Sequence, residues 1–139
     1  MNGMSAVCLR RRIFVVAFLV AVAFGLSGCL VSTHVLTDDD NGKIEAVDLG
    51  DGILIRLSGN ASTGFQWERT SPTDLEGSPL EPIEEGSYGS LGSAVGSPGL
   101  FSFRYNAIGP GTVTLTFAYR QPGEDEPPVA TYTVVIWVR

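Results

Sequence analysis

Beyond residue 42, wherever the chain is apolar its period is two. Ile53, Ile55 and Leu57 share one face, with Arg56 on the other. Phe101, Phe103 and Tyr105 alternate with Ser102 and Arg104. Val113, Leu115, Phe117 and Tyr119 alternate with Thr114, Thr116 and Ala118. Tyr132, Val134, Ile136 and Val138 alternate with Thr131, Thr133, Val135 and Trp137. A period of two in β-branched and aromatic residues marks strands with one buried face. Turn residues separate the runs, as at Asp38-Asp39-Asp40-Asn41-Gly42 and Gly109-Pro110-Gly111. The stretch from Ser71 to Gly99 differs. It holds Pro72, Pro79, Pro82 and Pro98 among glycines and serines, and reads as loop with a brief strand near Leu80 to Ile83. Within it, Gly86 to Ser93 is low in complexity and reads as flexible.

No segment after residue 29 offers a long amphipathic helix. Several short strands in about 110 residues predict an all-β domain, an immunoglobulin-like antiparallel β-sandwich. A small barrel is the competing architecture. There is no internal repeat.

The first 28 residues read as an address. Arg10, Arg11 and Arg12 precede an apolar run from Ile13 to Leu26, of signal-peptide length and short for a membrane span. The run ends in Leu26-Ser27-Gly28-Cys29, which resembles the bacterial lipobox, whose cysteine becomes N-terminal and lipid-modified. The alternatives are an ordinary secretory signal and an uncleaved anchor. The expected organisation is a lipoprotein signal peptide over 1–28, a lipidated Cys29 and tether with a first strand over 29–40, and the sandwich domain over 41–139. The expected location is the cell envelope, lipid-anchored at the outer membrane or cell surface. Apart from Cys8, which falls in the discarded segment, Cys29 is the only cysteine. The processed chain therefore offers no thiol for a disulfide, a metal cluster or nucleophilic catalysis.

Charge removes further classes. After the signal, six basic residues face fifteen acidic ones, a formal balance of −9. Phosphate binding requires the opposite sign, so nucleic acid is not an expected partner. The three aspartates at 38–40 lack the ligand spacing of a calcium loop. One histidine, His34, supports neither a metal site nor a convincing catalytic triad, and no Gly-x-Ser-x-Gly elbow is present. Adjacent acids such as Glu84-Glu85 and Glu124-Asp125-Glu126 read as solvated faces. The sequence therefore predicts no enzyme, no cofactor and no metal, and a monomer that works by binding.

Asn60-Ala61-Ser62-Thr63-Gly64-Phe65-Gln66-Trp67 is the strongest candidate for that binding. A short polar bend follows one strand, and Phe65 and Trp67 restart the core on alternate positions. Two further loops accompany it: Gly96-Ser97-Pro98-Gly99 before one strand, and Arg120-Gln121-Pro122 between the last two. In an immunoglobulin-like topology the first and last of these lie at one end.

These three stretches resemble the signatures of the chagasin-like inhibitors of cysteine peptidases. The family's first loop reads Asn-Pro-Thr-Thr-Gly-Tyr/Phe with a following Trp, matched by Asn60 to Phe65 and Trp67. Its second, Gly-x-Gly-Gly, corresponds to Gly96–Gly99, and its third, Arg-Pro-Trp/Phe, to Arg120-Gln121-Pro122. The resemblance runs from about Ile44 to Val138. It implies a papain-like cysteine peptidase as partner, blocked without a covalent bond by three loops. On that reading Asn60 braces the first loop, Thr63 and Gly64 touch the enzyme, and Trp67 is core. Ala61 and Pro98 stand where the family has proline and glycine, and Gly123 stands near the place of the third-loop aromatic. The alternative is an immunoglobulin-like envelope lipoprotein with an unrelated binding or structural role.

Overall fold

The computed structural model describes residues 30–123 and 126–139. Cys29 and the signal segment over 1–28 lie outside the described residues. Among the described residues, eight strands form two four-stranded sheets: β1 (Thr33–Leu36), β2 (Ile44–Val47), β3 (Gly52–Gly59), β4 (Gln66–Ser71), β5 (Leu80–Ser90), β6 (Gly99–Ala107), β7 (Gly111–Arg120) and β8 (Ala130–Val138). One sheet has the order β1-β3-β6-β5, the other β2-β8-β7-β4. The immunoglobulin-like sandwich is thus the observed fold. Two edge pairings, β1 with β3 and β2 with β8, are parallel rather than antiparallel.

The alternating runs supply the core. Ile53, Ile55, Leu57, Phe101, Phe103 and Tyr105 from one sheet meet Leu115, Phe117, Tyr132, Val134 and Ile136 from the other. Phe103 and Phe117 join the sheets at a ring separation of 4.6 Å. At the β4–β5 edge, Arg69 grips Glu85 through Nε (2.6 Å) and Nη2 (3.1 Å), and the Tyr105 hydroxyl donates to the same carboxylate (3.0 Å). Burial pushes the Glu85 carboxyl up, but the bonds from Arg69 and Tyr105 outweigh it and hold it below the usual range.

Two sequence expectations change. The stretch around 80–83, expected as a brief strand in a loop, is the start of eleven-residue β5, and Gly86 to Ser90, expected as flexible, continue it. Register shifts between Pro82 and Glu84 and between Glu85 and Ser87 absorb the proline and the left-handed Gly86 (φ 80°). An edge strand tolerates both, since only one side of its backbone must pair. Second, the compact unit runs from Val31 to Arg139. The stretch 29–40, expected to precede the domain, contributes β1 and a 3-10 turn at Asp38–Asp40, whose Asp38 accepts from the Ser58 hydroxyl (2.7 Å).

His34 sits half-buried on β1 and ties three segments together. Its Nδ1 lies 2.7 Å from Glu45 on β2, and its Nε2 lies 3.1 Å from Asp51 before β3. Asp51 also accepts from the backbone N–H of Ser32 and Asp48. Burial pulls the imidazole pKa down, but the bonds and charges of Glu45 and Asp51 more than reverse this, and it lies above 6.5. Stability from charged His34 is therefore complete below about pH 6.5 and is lost as pH rises through the higher folded value. His34→Gln should lower the Tm more at about pH 6 than at about pH 9. Equal losses at both would mean that the charge contributes nothing.

Candidate functional site: three loops at one end

The strand order brings the β3–β4, β5–β6 and β7–β8 connections to one end of the sandwich. Asn60 organises the first. Its side-chain oxygen accepts from the Ser62 N–H (3.1 Å) and hydroxyl (2.6 Å), and its carbonyl accepts from Thr63 Oγ1 (2.7 Å). Such side-chain bonds to nearby backbone stabilise a tight turn without a helix behind it. Ala61–Thr63 form one 3-10 turn, closed by Gly64 in the left-handed conformation (φ 81°). Only a glycine takes that conformation freely. The loop is thus preformed, and Ala61 stands where proline would otherwise add stiffness.

The same asparagine reaches the second loop, where its Nδ2 donates to the Gly96 carbonyl (2.9 Å). From the other side, Gln121 Nε2 donates to the Thr63 carbonyl (3.4 Å). The first loop therefore lies between its two companions. The sequence singled out all three stretches, and the structure brings Asn60, Ser62, Thr63, Gly96 and Gln121 into mutual reach. Ala61, Gly64 and Pro122 are exposed on the same end. Pro98 closes the second loop, its carbonyl accepting from Leu91 N (3.0 Å). Gly99 is already in β6, and a Cβ there would stand 2.4 Å from the Gly89 carbonyl oxygen, so no other residue fits. Arg120 ends β7 with its guanidinium paired to Glu68 on β4, so its charge is directed along the sheet.

Beneath the loops lies an aromatic platform. Tyr119 is its centre, with ring separations of 5.6 Å to Phe65, 5.3 Å to Trp67 and 6.3 Å to Phe101. Its hydroxyl accepts from Asn60 N (2.9 Å), at the base of the first loop. Trp67 is buried, and its indole donates to the Ser58 carbonyl (2.9 Å). Tyr88 packs on Phe101 (4.9 Å) and donates to the Ser97 carbonyl (3.2 Å), holding the second loop from below.

Sequence reasoning missed Tyr88, Leu91, Val95 and Val129. Leu91, Val95 and Val129 are among the most exposed large apolar side chains, all at the loop end. Leu91 and Val95 are lone aliphatics in a run of glycine, serine and alanine, which was the available signal. Residues 60–65 and 86–99 carry no charged side chain. The tip offers shape, backbone amides, the hydroxyls of Ser62, Thr63 and Ser97, and small apolar contacts. His34 pairs with Ile53 toward the opposite end, far from the serines of the loops. Among the described residues there is no cluster able to hold a metal ion.

A rigid β-sandwich presenting three braced loops at one end, the first two without charge, defines a binding module. The family model of the chagasin family peptidase inhibitors I42 matches residues 46–136, and the chain belongs to that family. Among curated proteins, Amoebiasin-2 of Entamoeba histolytica is 29% identical over 106 residues, covering 74% of this chain and 85% of that protein. Among solved structures, the cysteine protease inhibitor EhICP2 from Entamoeba histolytica superposes with a TM-score of 0.68 at 24% identity, covering 81% of this chain and all of that one. PbICP-C, solved in complex with falcipain-2, gives 0.51 at 17% identity, covering 82% of this chain and 96% of that one. These structural likenesses establish the shared fold. The function is that of a protease inhibitor rather than an enzyme.

Proposed function

We propose that this inhibitor blocks the active-site cleft of papain-like cysteine peptidases without a covalent bond, using the three loops as a wedge. The observation that carries the reading is the pair of bonds from Asn60 to Gly96 and from Gln121 to Thr63, which make three loops one preorganised surface. A surface that is ordered beforehand loses little entropy on docking. Thr63 and Gly64 are small enough to let backbone approach a narrow groove. Asn60, Ala61, Ser62 and Phe65 shape that tip, while Gly96, Ser97, Pro98 and Gly99 on one side and Arg120, Gln121 and Pro122 on the other flank it. Leu91 and Val95 supply apolar grip that the missing third-loop aromatic does not. The interface of such a complex buries on the order of 1,600 Å².

In the same reading Cys29 carries a lipid that holds the domain in the cell envelope, at the outer membrane or cell surface. The soluble domain beginning at Leu30 should inhibit papain reversibly, with full activity returning on dilution. No inhibition of several papain-like peptidases would favour the alternative of an immunoglobulin-like lipoprotein with an unrelated partner. Cys29→Ser should release the full-length protein from the membrane fraction.

A further inference from the structure

The end of the sandwich opposite the inhibitory loops carries its own pattern. Leu49 and Ile108, each 57% exposed, occupy the β2–β3 and β6–β7 connections. These connections form one platform: Gly50 N donates to the Ala107 carbonyl (2.8 Å), Leu49 N to the Arg139 carbonyl (3.3 Å) and Ile108 N to the Pro79 carbonyl (2.9 Å). Val31, 69% exposed, enters at the same end, just before β1 pairs with the start of β3. The half-exposed Trp137 lies beside it, next to the last residue of β8.

The chain's entry point says what faces this platform. Ser32 is fixed in the domain, its N–H donating to Asp51 (2.9 Å) and its carbonyl accepting from Gly52 N (2.8 Å). Only Leu30 and Val31 separate it from Cys29. At no more than 3.6 Å per residue, the three steps of chain from Cys29 to Ser32 reach at most about 11 Å. A lipid on Cys29 leaves no room for a flexible stalk. The apolar platform is then held at the bilayer surface.

We propose that this end is a membrane-contacting base, with Leu49, Ile108 and Val31 seated in the lipid interface and the inhibitory tip displayed outward. The inference rests on the lipid-anchor reading of Cys29. β3 spans the height of the sandwich in eight residues, so at about 3.3 Å per residue the tip stands roughly 25 Å above the base. Trp137 has the amphipathic ring that favours the water–lipid boundary. The charged groups at this end are Asp48, paired with Arg139 (3.0 Å), the buried Asp51 bound to His34, and the exposed acids Asp74, Glu76 and Glu81 on the side of Ile108, so among the described residues no free basic patch recruits anionic lipid. Contact is apolar and salt-insensitive, in keeping with the acidity of the domain.

Site-directed fluorescence of the processed, membrane-extracted protein tests this. Leu49→Cys gives a unique reactive thiol, because a lipidated Cys29 is a blocked thioether; Val95→Cys places the same probe at the tip. In vesicles of phosphatidylcholine doped with a chain-nitroxide lipid, an environment-sensitive probe at position 49 should shift blue and lose about half its emission or more, at low and high salt alike. The probe at position 95 should do neither. Retained papain inhibition by the position-49 variant establishes that it is folded. A lipid-bearing N-terminal peptide with an unquenched probe at position 49 overturns the base and leaves the anchor standing. An unmodified Cys29 in that peptide overturns the anchor and the base together. A blue shift that grows with protein density and ignores the quencher identifies a second copy as the occupant, and overturns the proposal.

Discussion

Thr63→Arg is expected to raise the inhibition constant against papain at least about a hundredfold, a loss of about 2.7 kcal/mol in binding. The Tm should move by only a few degrees. The two readouts separate because Thr63 is exposed at the tip of a turn whose geometry is set by other residues. Asn60, Gly64 and the Tyr119 hydroxyl hold the backbone there. The threonine hydroxyl adds one solvent-exposed bond to the Asn60 carbonyl, worth no more than about 1 kcal/mol. Arginine at this position would carry a long charged side chain into a narrow groove, where desolvation without a partner is costly. Thr63→Ser keeps the hydroxyl and the small volume and should inhibit nearly as well. If Thr63→Arg inhibits like the parent, the first loop is not the part that enters the cleft, and the wedge reading fails.

The difference between what the sequence revealed and what it hid follows from burial. β3, β6, β7 and β8 were legible because each buries one face, which imposes a period of two on Ile53–Leu57, Phe101–Tyr105, Val113–Tyr119 and Tyr132–Val138. β5 was not, because it is an edge strand whose bulges take in Pro82 and Gly86, the residues that argue against a strand. β2 is too short to show a period, and its parallel pairing with β8 leaves no local mark. The first loop was legible because turn chemistry is local: Asn60 and Gly64 are needed where they stand whatever surrounds them. The bonds from Asn60 to Gly96 and from Gln121 to Thr63 span 36 and 58 residues, and no local pattern reports them. Tyr88 was hidden for a related reason. Its partners, Phe101 and the Ser97 carbonyl, become neighbours only when β5 pairs with β6.

Trp67→Ala should have the largest effect on the fold. It removes a buried indole from the platform under the tip, along with its ring contact to Tyr119 and its bond to the Ser58 carbonyl. Truncating a buried aromatic typically costs about 3–5 kcal/mol, against a total stability of about 5–15 kcal/mol for a domain. At about 4–8 °C per kcal/mol, the Tm should fall by roughly 12 °C or more. Inhibition should fall as well, because Tyr119 loses a neighbour that keeps its hydroxyl under Asn60. That double loss does not say whether Trp67 touches the peptidase or only supports what does. Trp67→Phe separates the two. It keeps most of the packing and gives up the indole N–H, whose partner on exposed Ser58 can turn to water, so a loss of about 1 kcal/mol is expected. If Trp67 is anchorage, this variant inhibits papain within about threefold of the parent despite a lower Tm, a difference of less than about 0.7 kcal/mol in binding. A large loss of inhibition with the Tm preserved would make the indole a contact residue and extend the wedge inward to Trp67. Set beside Thr63→Arg, which removes inhibition and spares the fold, it draws the line between blocking tip and supporting platform at Gly64.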